Sequence, residues 1–135
     1  MLAGCAVKPV RHVRGQMVNS ITMKSGEVNA GLLELILTAP GFPTEMVNNL
    51  LVPPCADLTH LDALTGLTGL VWLNISGLDN LVNVDDLGAL ANLKQLTLSR
   101  CKKLENIDAL ANLTALVDVD LYGCKRLRSI DGLAN

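Results

Sequence analysis

Apolar residues return along this chain at two nested intervals. Within a unit they fall as L-x-x-L-x-L, and the whole set recurs every 23 residues. Leu64, Leu87, Leu110 and Leu133 share one column, and Leu67, Leu90 and Leu113 the next. Leu70, Leu93 and Leu116 follow, then Leu73, Leu96 and Val119, then Ile75, Leu98 and Leu121. Leu81, Leu104 and Leu127 form another column, and Val84, Ile107 and Ile130 another. One further step back places Val47, Leu50 and Val52 under Leu70, Leu73 and Ile75, with Leu58 and Leu61 under Leu81 and Val84. Residues 47–135 are therefore repeats, and 1–46 form a less regular N-terminal segment. A unit of this length cannot bury its own apolar face, so successive units must stack as coils around a shared core.

The L-x-L part alternates with period two and reads as a short strand. Strands are expected at 71–75, 94–98 and 117–121, with 48–52 before them. Stacked coils would set them side by side as a parallel sheet, about 4.8 Å apart. On the far side of each coil, Asp62, Asp85, Asp108 and Asp131 each precede a segment such as ALANL. These acids are expected to cap the first turn of a short helix or 3₁₀ segment.

The two ends depart from the pattern. Val18, Ile21 and Met23 repeat the spacing of Leu70, Leu73 and Ile75, and Ala30 to Leu37 (AGLLELIL) reads as a helix closed by Pro40, Gly41 and Pro43. Ile21 and Leu50 are 29 residues apart, which suggests one longer, atypical repeat at the end of the stack. The alternative is an unrelated cap with no sheet-paired strand. At the other end Leu133-Ala134-Asn135 opens a new unit. This end of the core is expected to need a cover, either more chain or something else.

Composition narrows the function. Half the residues are apolar, but aromatics are only 2%: Phe42, Trp72 and Tyr122. The core is thus built from one aliphatic side chain used repeatedly. A net charge of -2 gives no steer towards nucleic acid. Three of the four cysteines, Cys55, Cys101 and Cys124, share one column, with Leu78 in the gap. They read as a ladder of small buried residues just after each strand, where Asn or Cys can serve the backbone of the bend. A Cys101–Cys124 disulfide between neighbouring coils is the alternative. His12 and His60 are isolated, so no metal site is expected. A calcium ladder on the four Asp residues would need several oxygens per coil and glycine-rich turns, and neither is present.

The segments Leu93 to Cys101 (LKQLTLSRC) and Leu116 to Cys124 (LVDVDLYGC) match L-x-x-L-x-L-x-x-N/C, and Leu70 to Leu78 (LVWLNISGL) matches except at its last position. The chain resembles the leucine-rich-repeat family over residues 47–135. The LANLKQL and LANLTAL phrasing is similar to bacterial internalin-type repeats. Those mostly carry Asn in the turn column and are one residue shorter. The Cys column followed by C-x-x-L is more similar to the repeats of eukaryotic ubiquitin-ligase adaptors. The resemblance implies an α/β solenoid, with a parallel sheet on the concave face and short helical or 3₁₀ segments on the convex face.

Such a solenoid presents its outward strand positions as fixed rows. Trp72, Gln95 and Asp118 form one; Asn74, Thr97 and Asp120 a second; Ser76, Ser99 and Tyr122 a third, with Arg100 beside it. Two of the three aromatics lie here, where no core needs them, and Trp, Tyr and Arg are common interface anchors. These positions are the candidate partner-binding site, and the expected partner is another protein. A basic cluster, Lys102, Lys103, Lys125, Arg126 and Arg128, follows the turn column as a solvated rim or a docking point for acidic groups. No Ser/His/Asp set, phosphate-binding glycine loop or Cys/His pair tied by motif is found, so neither catalysis nor a cofactor is expected. Leu2-Ala3-Gly4-Cys5 resembles a bacterial lipobox, in which the cysteine is lipidated, although Met1 immediately precedes it. Lipidated Cys5 would attach the chain to the bacterial cell envelope as an interaction subunit of a surface assembly. The alternatives are a cytosolic adaptor, or the recognition part of a larger enzyme.

Overall fold

The computed structural model describes residues 5–13, 16–23, 30–41 and 44–133. Six strands form one sheet in chain order: β1 (Cys5–Val13), β2 (Gln16–Met23), β3 (Val47–Leu51), β4 (Trp72–Asn74), β5 (Gln95–Thr97) and β6 (Asp118–Asp120). From β2 to β6 every neighbouring pair is parallel. Leu50, Leu73, Leu96 and Val119 pair in register, as the 23-residue step requires. β4, β5 and β6 are shorter than the alternation suggests, each keeping three residues in the strand before the chain turns out of the sheet.

The convex side is built from 3₁₀ turns, and the spacing of the leucines explains the choice. Leu61, Leu64, Leu67 and Leu70 recur every third residue, and each N–H from Leu64 onward donates to the carbonyl of the leucine before it, at 2.9, 3.0 and 3.0 Å. The same chain of bonds runs through Val84, Leu87, Leu90 and Leu93, and through Ile107, Leu110, Leu113 and Leu116. A three-residue period puts successive side chains on one line in a 3₁₀ turn, whereas an α-helix would rotate them apart. Every third residue therefore points into the core.

The four aspartates do open these turns, at Asp62–Leu64, Asp85–Ala89, Asp108–Asn112 and Asp131–Leu133. The capping role expected of them is corrected. The cap positions of the first three are Leu61, Val84 and Ile107, and none makes a side-chain cap bond. At Asp85, Asp108 and Asp131 the work falls to the residue two before. Asn83 Oδ1 accepts from Asp85 N at 3.1 Å, Asn106 Oδ1 from Asp108 N at 3.4 Å, and Ser129 Oγ from Asp131 N at 3.0 Å. This is the turn that short polar side chains make with backbone two residues on. The aspartates are exposed in the first turn, where their charge faces the free N–H groups.

The N-terminal segment contributes the longer repeat expected of it. β2 pairs in parallel with β3, Ile21 opposite Leu50, and the helix α1 (Ala30–Leu37) forms the far side of the coil. Leu33 and Leu37, four residues apart, are buried in the common core, while Leu35 on the opposite face is exposed. Sequence alternation did not disclose β1. It pairs antiparallel with β2 and adds a further strand beyond the first repeat. Its register shifts between Lys8 and Arg11, around Pro9. A proline cannot donate to a ladder and is confined to edges and bulges, so the alternation is broken where it would have been read. The available signal was Arg14-Gly15, two residues with a glycine between two strand-length runs.

The core is one continuous column of aliphatic side chains from Ile21 to Leu113. Cys55 and Cys101 belong to it, whereas Cys124 in the last coil is only partly covered. All three are free thiols, which leaves the Cys101–Cys124 disulfide unformed. Each thiol serves backbone or turn groups. Cys101 Sγ donates to Ile75 O at 3.6 Å and Cys124 Sγ to Leu98 O at 3.0 Å, each one coil back. Cys55 Sγ donates to Asp57 Oδ1 at 2.8 Å. Burial pushes the thiols of Cys55 and Cys101 up to about 11, since a thiolate there would lose its solvation.

Candidate functional site

The concave rows assemble as the spacing requires. Trp72 pairs with Gln95 and Gln95 with Asp118; Asn74 pairs with Thr97 and Thr97 with Asp120. The third row continues past the strands, where Gly77 N donates to Ser99 O at 2.8 Å and Arg100 N to Tyr122 O at 2.6 Å. Both rows also extend further than the repeats alone implied. Asn49 stands beside Trp72, and Ser20 beside Asn49, with Asn49 Nδ2 donating to Ser20 Oγ at 3.2 Å. With β1, β2 and β3 in place, Trp72 lies in the middle of the sheet and only Tyr122 stands at an end.

The side chains differ in how free they are. Trp72 is half-buried and walls a hollow shared with Ser20, Ile21, Asn49, Val71 and Gln95. Gln95 and Asp118 are exposed, and Tyr122 is 74% exposed. Asn74 and Asp120 are committed to local structure. Asn74 Oδ1 accepts from Ser76 N at 3.1 Å and from Ser76 Oγ at 2.8 Å, and Asp120 Oδ1 accepts from Tyr122 N at 2.9 Å. These bonds close the turn out of each strand. The Tyr122 N–H, followed by the Ser99 hydroxyl, holds the Asp120 carboxyl below its usual range.

Arg100 occupies a backbone position that disfavours it. Its φ is 61°, in a column where the neighbouring coils place Gly77 at 76° and Gly123 at 78°. A Cβ in this left-handed region crowds the backbone, so glycine is the low-energy choice. Arg100 also borders a second hollow with Asn74, Ser76 and the Pro53-Pro54 loop. The two hollows flank the Trp72–Asn74 strand, one at each end.

The basic cluster is largely occupied between coils. Lys102 Nζ lies 3.2 Å from Asp79 Oδ2, Lys103 Nζ donates to Asn80 Oδ1 at 2.8 Å, and Arg126 Nη1 lies 3.8 Å from Glu105 Oε1. Cys5 is the first residue of β1, while Leu2, Ala3 and Gly4 lie outside the described residues. Among the described residues no group of three or more metal-ligating side chains comes together, and no helix is long and apolar enough to cross a membrane.

A parallel sheet on one face, 3₁₀ turns on the other and a 23-residue step define a leucine-rich-repeat solenoid. A solved structure agrees on the fold. An internalin (inlF) from Listeria monocytogenes superimposes with a TM-score of 0.57 at 20% identity, over 78% of this chain and 34% of that one. Internalin C2 from the same organism aligns at 21% identity over 67% of this chain and 57% of that one, with a TM-score of 0.29. The chain thus spans about a third of the first and somewhat over half of the second. No protein-family model and no curated protein sequence matches it.

Proposed function

We propose that the chain binds another protein through its concave sheet, without catalysis, using Trp72, Asn74, Gln95, Thr97, Arg100, Asp118, Asp120 and Tyr122. The observation that carries this reading is Arg100. A long cationic side chain is kept in a left-handed backbone position where the coils on either side use glycine. Backbone held against its preference clusters at functional sites, where the side chain is needed for something other than folding. Arg100 borders one of the two hollows and lies one row from an exposed tyrosine, a grouping of interface-anchor residue types on a rigid surface. Asn74 and Asp120 join the surface chiefly as turn-closers that hold Ser76 and Tyr122 in place.

The lipobox-like Leu2-Ala3-Gly4-Cys5 supports attachment to a bacterial envelope, and the internalin-like fold is compatible with it. The free, buried cysteine ladder supports the other setting, a reducing cytosol and an adaptor role. Mass measurement of the mature protein separates the two, because lipidation adds acyl mass at Cys5.

The binding test uses partner captured from the native source. Trp72→Ala and Tyr122→Ala are each expected to weaken capture by about 30- to 1000-fold, or about 2–4 kcal/mol, with little change in melting temperature. Unchanged capture by both variants, with loss on substitution of rim residues or of 1–46, would move the interface away from the concave face.

A further inference from the structure

We propose that the hollow beside Arg100 receives the C-terminal residue of the partner protein, with the free carboxylate on the Arg100 guanidinium and an aliphatic side chain against Pro53 and Pro54. This rests on the concave-face reading above and names the part of the partner that the surface recognises. Pro54, Gly77 and Arg100 stand in one column on three successive coils, at 23-residue steps. The glycine leaves a gap in that column between a proline ring and a cation. A Cβ on Gly77 would lie 2.9 Å from Pro54 Cγ, so the ring rests directly on the glycine. Leu51, Val52 and Pro53 complete the apolar lining of the hollow, which holds about 340 Å³. That is within the range of small-ligand sites, which are mostly apolar with a few polar groups that fix orientation. The lining is set in advance, since Val52 N donates to Asn74 O at 2.9 Å and both prolines have a locked φ.

The polar groups around the hollow are hydrogen-bond donors. Asn74 Oδ1 already accepts from Ser76 N and Ser76 Oγ. This uses the Ser76 hydroxyl proton and leaves Asn74 Nδ2 with no partner among the described residues. Arg100 carries donors only. Lys102 and Arg126 in the turns nearby lie against Asp79 and Glu105, whereas Arg100 makes no ion pair among the described residues. No acid lines the hollow. Unpaired donors and one positive charge fit a carboxylate, which only accepts and which a guanidinium holds by two parallel bonds.

The surroundings select a chain end over an acidic stretch. Asp118 and Asp120 are exposed one coil beyond Arg100, so a partner segment with several acids would meet like charge. A C-terminal residue brings a single carboxylate, attached to the same Cα as its side chain. It therefore meets the cation and the apolar lining together. A glutamate needs its whole side chain to reach the arginine and leaves the prolines uncovered. The left-handed backbone at Arg100 follows from the same requirement, because the cation must stand in a column where the adjacent coils have Gly77 and Gly123.

Amide NMR titration of the 135-residue chain with short peptides tests this. The probe is acetyl-Gly-Ser-Gly-Ser-Ala-Leu with a free carboxylate. It should bind at about 1 mM or tighter and shift the amides of Ser76, Gly77 and Arg100. The same peptide as its C-terminal amide should bind about tenfold more weakly, as should acetyl-Gly-Ser-Glu-Leu-Gly-Ser amide, which carries its acid internally. Arg100→Gln should weaken the free-acid peptide by about tenfold, and Arg100→Lys should recover part of that loss. Arg126→Gln removes one positive charge from the rim and should leave peptide binding unchanged. The dispersion of the same spectra reports whether each variant is folded. A free-acid peptide that leaves those three amides unmoved at about 1 mM would overturn the proposal. So would equal binding of the amide or internal-glutamate peptide, or a folded Arg100→Gln variant that binds like the wild type. Native capture that depends on Trp72 and Tyr122 while the peptide fails would overturn this proposal alone. Peptide binding, with native capture indifferent to both aromatics, would keep this hollow and overturn the wider surface.

Discussion

Coils that differ little in sequence differ greatly in burial. Ile107 is 0% exposed, and Ile130, its equivalent in the last coil, is 63% exposed. Cys101 is buried and Cys124 is not; Leu96 is buried and Val119 only half so. The residue types at these columns are the same or nearly so. What changes is the following coil, which supplies the second wall of the core. Stability in this molecule is therefore a property of interfaces between units more than of the units.

The sharpest way to break this comparison is to make the same cut in two coils. Leu96→Ala should cost about 2–5 kcal/mol in urea unfolding, since its site is walled on both sides and cannot collapse. Val119→Ala should cost under about 1 kcal/mol, because solvent already reaches it. Equal losses would mean that the last coil is as well packed as the interior.

The cysteine ladder reads the same gradient chemically. Cys124 should react with thiol reagents under native conditions, while Cys55 and Cys101 react only on unfolding. A pH titration extends the test. The Cys55 and Cys101 thiols are raised from the ordinary 9.0 to about 11, mainly by burial. A folded-state value above the unfolded one favours the protonated, folded form. Their contribution is thus complete below pH 9.0 and is lost as pH rises towards about 11. Stability that stays level across that window in urea melts would contradict the buried ladder.

A smaller effect separates folding from binding at one residue. Arg100→Gly should stabilise the protein by about 1 kcal/mol, because glycine takes the left-handed backbone without the Cβ penalty. The same change should weaken partner capture. A destabilised variant would show that the arginine side chain supports the coil. Smallest of all, Lys102→Ala should change stability by under about 0.5 kcal/mol, since its ion pair with Asp79 is exposed and screened. A larger loss would mark the inter-coil charge ladder as structural.

Much of this was legible without coordinates. A 23-residue repeat of leucines admits few arrangements, and it located the parallel strands, the core columns, the cysteine ladder and the outward rows. It succeeded because each column meets its own copy one coil away, so position in the period is position in space. The helix Ala30–Leu37 was legible from its apolar run and the Pro-Gly-Pro stop.

What the period does not contain, only the tertiary structure decided. The β1 strand lies outside the repeats and is interrupted at Pro9, so no periodicity marked it. Its presence extends the sheet to six strands. The capping of the 3₁₀ turns by Asn83, Asn106 and Ser129, and not by the uniform aspartates, depends on which oxygen reaches which N–H. A column of identical residues shows that a position is constrained, not by which atoms. Likewise the left-handed backbone at Arg100 is imposed by the coils around it, against the preference of its own residue type. Sequence sets what each residue favours; where neighbours overrule that preference, only their arrangement in space records it.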